Sequence, residues 1–162
     1  MPYQEPEIRQ LSERLVACIS YTGNYIGDTE LFARLFKRLG DWAGSEGLIS
    51  TETVFISSYV NDPRSTPLDE LRLDVCMSIP EGTEVAGDAQ RKRLPGGTYA
   101  VMHAEIADAK GFESAWNAVV EWADKNNIES DLSRPSYEIY LNNPEEHPQK
   151  HHLVDICLSV ST

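Results

Sequence analysis

Cysteine and positive charge are both scarce in this chain, and each scarcity narrows what it can be. The three cysteines, Cys18, Cys76 and Cys157, stand in apolar stretches with no Cys-x-x-Cys spacing, so neither a zinc ribbon nor a dithiol redox centre is indicated. An odd count with no secretory leader points to reduced thiols in the cytoplasm, packed as small core or pocket-wall residues. Lys and Arg number 14 against 26 Asp and Glu, a net charge of −12, which repels a phosphate backbone and argues against direct nucleic-acid binding. The one dense basic stretch, Arg91 to Arg93, is too short to reverse this and reads as solvated linker. No apolar run reaches the roughly 18 residues of a membrane span, and the opening MPYQEPEIRQL has no basic end followed by an apolar run. Also missing are a G-x-S-x-G elbow, a phosphate-cradling glycine loop and a dinucleotide fingerprint. No cofactor and no metal are therefore expected.

What the 162 residues do have is apolar content, 41%, enough for one domain with a real core, and an internal repeat. LFARLFKRLGDWAGSEGL aligns with GFESAWNAVVEWADKNNI, matching Phe32 to Phe112 and Trp42 to Trp122 at a spacing of 80. SSYVNDP aligns with EIYLNNP, and LRLDVCMSI with HLVDICLSV, so that Tyr59 matches Tyr140, Asp74 matches Asp155 and Cys76 matches Cys157 at 81. A register kept through three segments with one residue of drift is a duplication with a loop insertion. Each half reads as strand, helix, strand, strand. The first helix is capped by Asp28 or Thr29, and Leu31, Phe32, Leu35, Phe36, Leu39 and Trp42 form one apolar face. The second is expected near Gly111 to Lys125. The fold class is then α+β: tandem strand-helix-strand-strand units about a pseudo-twofold axis. Their antiparallel sheet carries helices on one face and a ligand groove on the other. Repeat 1 covers about 8–80, a polar linker 81–97, and repeat 2 about 98–162, within a single domain.

Within SYEIYLNNP, strand alternation places Ser136, Glu138 and Tyr140 on one face and Tyr137, Ile139 and Leu141 on the other, toward the helix. Val154, Ile156 and Leu158 look like core, so Asp155 and Cys157 are expected to share the face of Glu138. The first repeat adds Ser57 and Tyr59, then Asp74 and Cys76. The position matching Glu138 is Ser57, so the symmetry breaks where a charge stands. If that open face is wet, Glu138 is an ordinary solvated strand residue. If it is covered, a carboxylate beside aromatic rings attracts cations. Trp116, Tyr21, Tyr25 and Phe55 are further candidates to line a groove, or else core and rim packing. His147, His151 and His152 cluster in EEHPQKHH, where metal binding is chemically open, but a hairpin loop of this kind is expected to be solvated.

PGGTYAVMHAEI, FESAWNAVVEWADKNN, YEIYLNNPEE and LVDICLSV in the second half, with ACISYTGNY and LFARLFKRLGDWA in the first, resemble the GyrI-like small-molecule-binding family. That family is similar to the effector-binding domains of multidrug-sensing transcription regulators. The resemblance runs from about Leu15 to Val160 and implies a ligand groove between the repeats, with a glutamate at the YEIY position, here Glu138, facing lipophilic cations. Only about fourteen residues precede the first expected strand, so a sensor-like module without the DNA-reading domain of those regulators is expected. The family implies three functions. The leading one is a cytoplasmic binding protein for lipophilic, cationic, multidrug-type ligands, with Glu138 as the charge-selecting residue. In this reading Tyr140, Tyr59, Ser57, Phe55, Trp116, Tyr21, Cys76, Cys157 and Asp155 complete the site. The second is a hydrolase opening cyclopropanoid genotoxins, with Glu138 as general base and Tyr59 or Tyr140 as proton donor. The third is a protein-interaction modulator of DNA gyrase. Oligomeric state is not legible.

Overall fold

The computed structural model describes residues 3–161. In chain order the elements are β1 (Glu7–Leu11), β2 (Arg14–Thr22), α1 (Thr29–Ser45), β3 (Phe55–Tyr59), β4 (Arg72–Ser78), β5 (Gln90–Leu94), β6 (Gly97–Ile106), α2 (Ala109–Lys125), β7 (Ser136–Tyr140) and β8 (His152–Ser159). Single 3-10 turns at Leu68–Glu70 and Pro144–Glu146 lie in the β3–β4 and β7–β8 loops.

Both helices start the same way. Asp28 and Asp108, 80 residues apart, each accept a hydrogen bond from the backbone N–H three residues on, Leu31 and Gly111, at 3.0 Å. This satisfies one of the free donors of the first turn. The apolar stripe of α1 buries Leu31, Leu35, Leu39, Trp42 and Ala43, and that of α2 buries Ala115, Val119 and Ala123.

The chain forms two compact units, residues 13–95 and residues 1–12 with 96–162. In the first, β3, β4, β2 and β5 are adjacent in that order and antiparallel, with α1 packed on β2 and β4. Leu15, Ala17, Ile19, Leu73, Val75 and Met77 face α1. In the second, β1, β6, β8 and β7 are antiparallel, and α2 packs on β6 and β8 over Ala100, Met102, Ala104, Val154, Ile156 and Leu158. The fold is α+β, a tandem duplication of antiparallel units that each carry one helix on one face. Equivalent turns are pinned alike: Asn61 Oδ1 accepts from Arg72 N at 2.9 Å and Asn142 Oδ1 from Leu153 N at 2.8 Å.

The repeat has one more strand than the sequence pattern indicates. Arg91 to Arg93, expected as solvated linker, belong to β5, and the opening EIRQL forms β1. Each precedes one repeat in sequence and pairs with the other: β1 with β6, and β5 with β2. These outer strands are mostly exposed and polar, as strands at sheet edges often are, so they show no apolar alternation. Lys92 reaches Asp74 at 2.9 Å and Arg93 reaches Glu81 at 2.8 Å.

Candidate ligand site

Register decides which side chains meet. Glu138 stands opposite Ile156 and Tyr140 opposite Val154, so both lie on the face that carries α2. Asp155 and Cys157 stand opposite Ile139 and Tyr137 and belong to the other face. The expectation that Asp155 and Cys157 share the face of Glu138, away from the helix, is therefore corrected. Its premise was that apolar residues mark the helix side. Here both faces are buried: Tyr137 and Tyr99 stack on the non-helix face with ring centroids 5.3 Å apart, and Cys157 is fully buried. Apolarity on β7 thus carries no information about where the helix lies.

Glu138 is 4% exposed, which removes the solvated-strand alternative. α2 crosses β6 and β8, and β7 lies one strand further out, so a side chain from the flank of α2 can reach over it. Trp116 does so. Its indole Nε1–H donates to Glu138 Oε2 at 2.6 Å, and the Tyr140 hydroxyl donates to Oε1 at 2.7 Å. Each carboxylate oxygen is thus held by an aromatic residue. Both donors are neutral, and these two bonds fix the orientation of the carboxylate. Trp116 and Tyr140 are themselves partly buried against the α2 core.

The equivalent positions of the other unit have the same backbone and different chemistry. Subtracting 80 from Trp116 and 81 from Glu138 and Tyr140 gives Phe36, Ser57 and Tyr59. Phe55, Ser57 and Tyr59 pair with Met77, Val75 and Leu73, on the face that carries α1. Tyr59 packs with Tyr25 at 5.5 Å and with Phe32 at 6.4 Å, and Phe36 packs edge-on to Phe55 at 6.3 Å. Tyr21 is partly buried against this cluster. Phe36 escaped notice as a site residue, although the 80-residue register points to it. A tryptophan–glutamate–tyrosine set in one unit thus corresponds to phenylalanine–serine–tyrosine in the other.

The remaining predicted residues serve the sheet. Asp74, 3% exposed, is held by Lys92 and by the Ser20 hydroxyl, and Asp155 meets His103 Nδ1 at 3.1 Å. Cys76 lies opposite Cys18 on neighbouring strands. All four belong to the face away from the helix in their unit.

The GyrI-like small molecule binding domain matches residues 4–161. A curated relative, DNA gyrase inhibitor 2 of Dickeya dadantii (strain 3937), is 33% identical over 94 residues, which are 56% of this chain and 58% of that protein. The matched part therefore spans less than two thirds of that relative. Among solved structures, the C-terminal domain of EcmrR superposes with a TM-score of 0.80 at 14% identity, covering 100% of this chain and 99% of that one. SAV2435 bound to tetraphenylphosphonium superposes with a TM-score of 0.67 at 14% identity, covering 98% and 94%. With nearly its whole length matched by one family and its fold shared with these structures, the chain belongs to the GyrI-like small molecule binding domain family.

Proposed function

We propose that this protein binds lipophilic cations and that Glu138 selects them by charge. The observation that carries the proposal is the buried carboxylate held between Trp116 Nε1 and the Tyr140 hydroxyl. A cation that enters beside it gains Coulomb attraction strengthened by burial and the ring quadrupoles of Trp116 and Tyr140, about 0.5–2 kcal/mol per favourable contact. Orientation by two neutral donors means the carboxylate need not reorganise when the ligand arrives. The replacement of Glu138 by Ser57 in the repeat supports a one-sided charge. The ligand class draws support from SAV2435, whose structure holds tetraphenylphosphonium.

The test is a two-dimensional ¹H–¹⁵N spectrum of the whole chain during titration with tetraphenylphosphonium. The three tryptophans, Trp42, Trp116 and Trp122, give three indole signals, and Trp116→Phe assigns one. The Trp116 indole signal is expected to move, with those of Trp42 and Trp122 unchanged. Saturation with no movement at Trp116 places the ligand elsewhere and ends the proposal.

The 2.7 Å hydrogen bond between Tyr140 and Glu138 supports a second reading, a hydrolase in which Glu138 takes a proton from water, the water oxygen bonds to a cyclopropane carbon as a ring C–C bond breaks, and Tyr140 protonates the atom that receives the electron pair of the broken bond. It predicts incorporation of labelled water oxygen into a cyclopropanoid substrate and loss of that turnover in Glu138→Gln. An action on DNA gyrase, which the name of the Dickeya relative carries, would depend on the outer surface, and Glu138→Gln would leave it untouched.

A further inference from the structure

The loop from β7 to β8 holds two histidines against a carboxylate from a distant strand. His151 Nδ1 lies 2.6 Å from Glu105 Oε2, and His147 Nε2 lies 3.9 Å from the same oxygen. The two imidazoles stack with centroids 5.2 Å apart and 16° between their planes. One donor atom from each of the three residues falls within 4.8 Å of the others. His152, the third histidine of the run, is not part of this group and packs edge-on to Phe112 at 5.5 Å.

We propose that Glu105, His147 and His151 form a site for a divalent transition-metal ion of the zinc type. Two imidazole nitrogens and one carboxylate oxygen are the donor set that a borderline-soft cation prefers, with water completing the coordination. Metal bonds of about 2.0–2.1 Å in a tetrahedron hold donor atoms roughly 3.3 Å apart, and the observed 2.6 and 3.9 Å lie on either side of that separation. The third separation, between the two imidazole nitrogens, is at most 4.8 Å, so turning the two stacked rings toward a common point completes the site. The loop backbone is already fixed: His147 N donates to Pro144 O at 3.1 Å, Lys150 N to His147 O at 3.0 Å, and Asn142 Nδ2 to His151 O at 3.2 Å. Glu105 is exposed and both histidines are partly exposed, so an ion reaches them from solvent, and a net charge of −12 draws cations to the surface.

Two bonds oppose the site: His151 Nδ1–H, which donates to Glu105 Oε2, must give up its proton when the metal binds, and a second bond falls on His147. Gln149 N donates to His147 Nδ1 at 3.0 Å, which leaves the ring proton on Nε2. Metal at Nε2 displaces that proton and favours Nδ1–H, so the exposed Gln149 N–H turns to water. Losing these two exposed hydrogen bonds lowers affinity without forbidding binding. The sequence shows the loop histidines but not Glu105, which stands on β6, 42 residues before His147.

The experiment is a calorimetric titration of the full, tag-free chain with zinc, with cobalt absorption as a second readout. One equivalent is expected to bind with micromolar affinity, and Glu105→Gln, His147→Ala and His151→Ala should each weaken it at least about tenfold. His103→Gln should leave it unchanged. Circular dichroism of the variants shows whether the fold is kept. Cobalt should give the visible bands of nitrogen and oxygen ligation with no thiolate-to-cobalt band, which separates this site from the three cysteines. Binding that survives all three substitutions, a thiolate band, or no binding at all overturns the proposal.

Discussion

Trp116 and Tyr140 hold the two oxygens of Glu138 in different ways. The indole N–H can only donate, whereas the phenol can donate or accept. Trp116→Phe keeps an aromatic ring, though a smaller one, and removes the donor. Trp116→Phe and Tyr140→Phe are each expected to destabilise the fold by about 1–3 kcal/mol, the cost of taking a donor from a buried acceptor. Urea denaturation of the two variants checks both losses, and a midpoint unchanged from wild type contradicts them. Glu138 was legible in the sequence because it breaks an apolar strand and because its repeat partner is Ser57. Its hold on Trp116 was not, because the bond joins a helix to a strand 22 residues away. Its face was misread because Tyr137, Ile139 and Leu141 are as apolar as a helix-facing set.

Arg134 ties several backbone segments together near the end of the chain. Its Nη2 donates to Thr98 O at 3.0 Å and Val160 O at 2.8 Å, its Nε donates to Asp131 at 2.9 Å, and its guanidinium lies 4.8 Å from the Tyr99 ring centroid. Gly97 makes room for it. A Cβ there would stand 2.6 Å from Arg134 Nη1, and the backbone φ is +131°. Gly97→Ala is therefore expected to cost about 1–3 kcal/mol through clash and strain, read as a lower midpoint in thermal or urea unfolding. Asp131 is pulled down to about 2 by the Ser133 hydroxyl, the Arg134 guanidinium and the Ser133 N–H. A carboxylate depressed in the folded state stabilises above its unfolded pKa of about 4, and that contribution fades as pH falls toward 2. Asp131→Asn should flatten the acid limb of the stability profile between about pH 4 and pH 2, with an unchanged acid limb contradicting this. At this scale the helices were legible from their aspartate caps and apolar stripes. The edge strands β1 and β5 were not, because charge on an exposed edge leaves no periodic signal.

Over the whole molecule, the duplication conserves scaffold and varies chemistry. Aspartate caps and asparagine turn locks recur at 80 and 81 residues, while the Trp116–Glu138–Tyr140 set has an uncharged counterpart. Repeats were legible because turns and caps tolerate few residue types, whereas the metal-type cluster of Glu105 with the loop histidines depends on a strand pairing that no local pattern encodes. The charge of −12 bears on partners. The isolated chain is expected not to retard duplex DNA selectively at physiological salt, because phosphate contacts need clustered cations. A sequence-selective shift in a gel at that salt would contradict this.

The central claim is that Glu138 supplies charge selectivity. Its most direct measurement is a pair of titrations, wild type and Glu138→Gln, each with tetraphenylphosphonium and with neutral triphenylphosphine oxide. Glutamine can accept from Trp116 through its carbonyl and donate to Tyr140 through its amide, so shape and stability should be nearly kept. Loss of the partly desolvated charge interaction, about 1.5–3 kcal/mol, predicts roughly ten- to a hundredfold weaker binding of the cation with little change for the neutral ligand. Equal affinity of the two proteins for tetraphenylphosphonium would contradict the account.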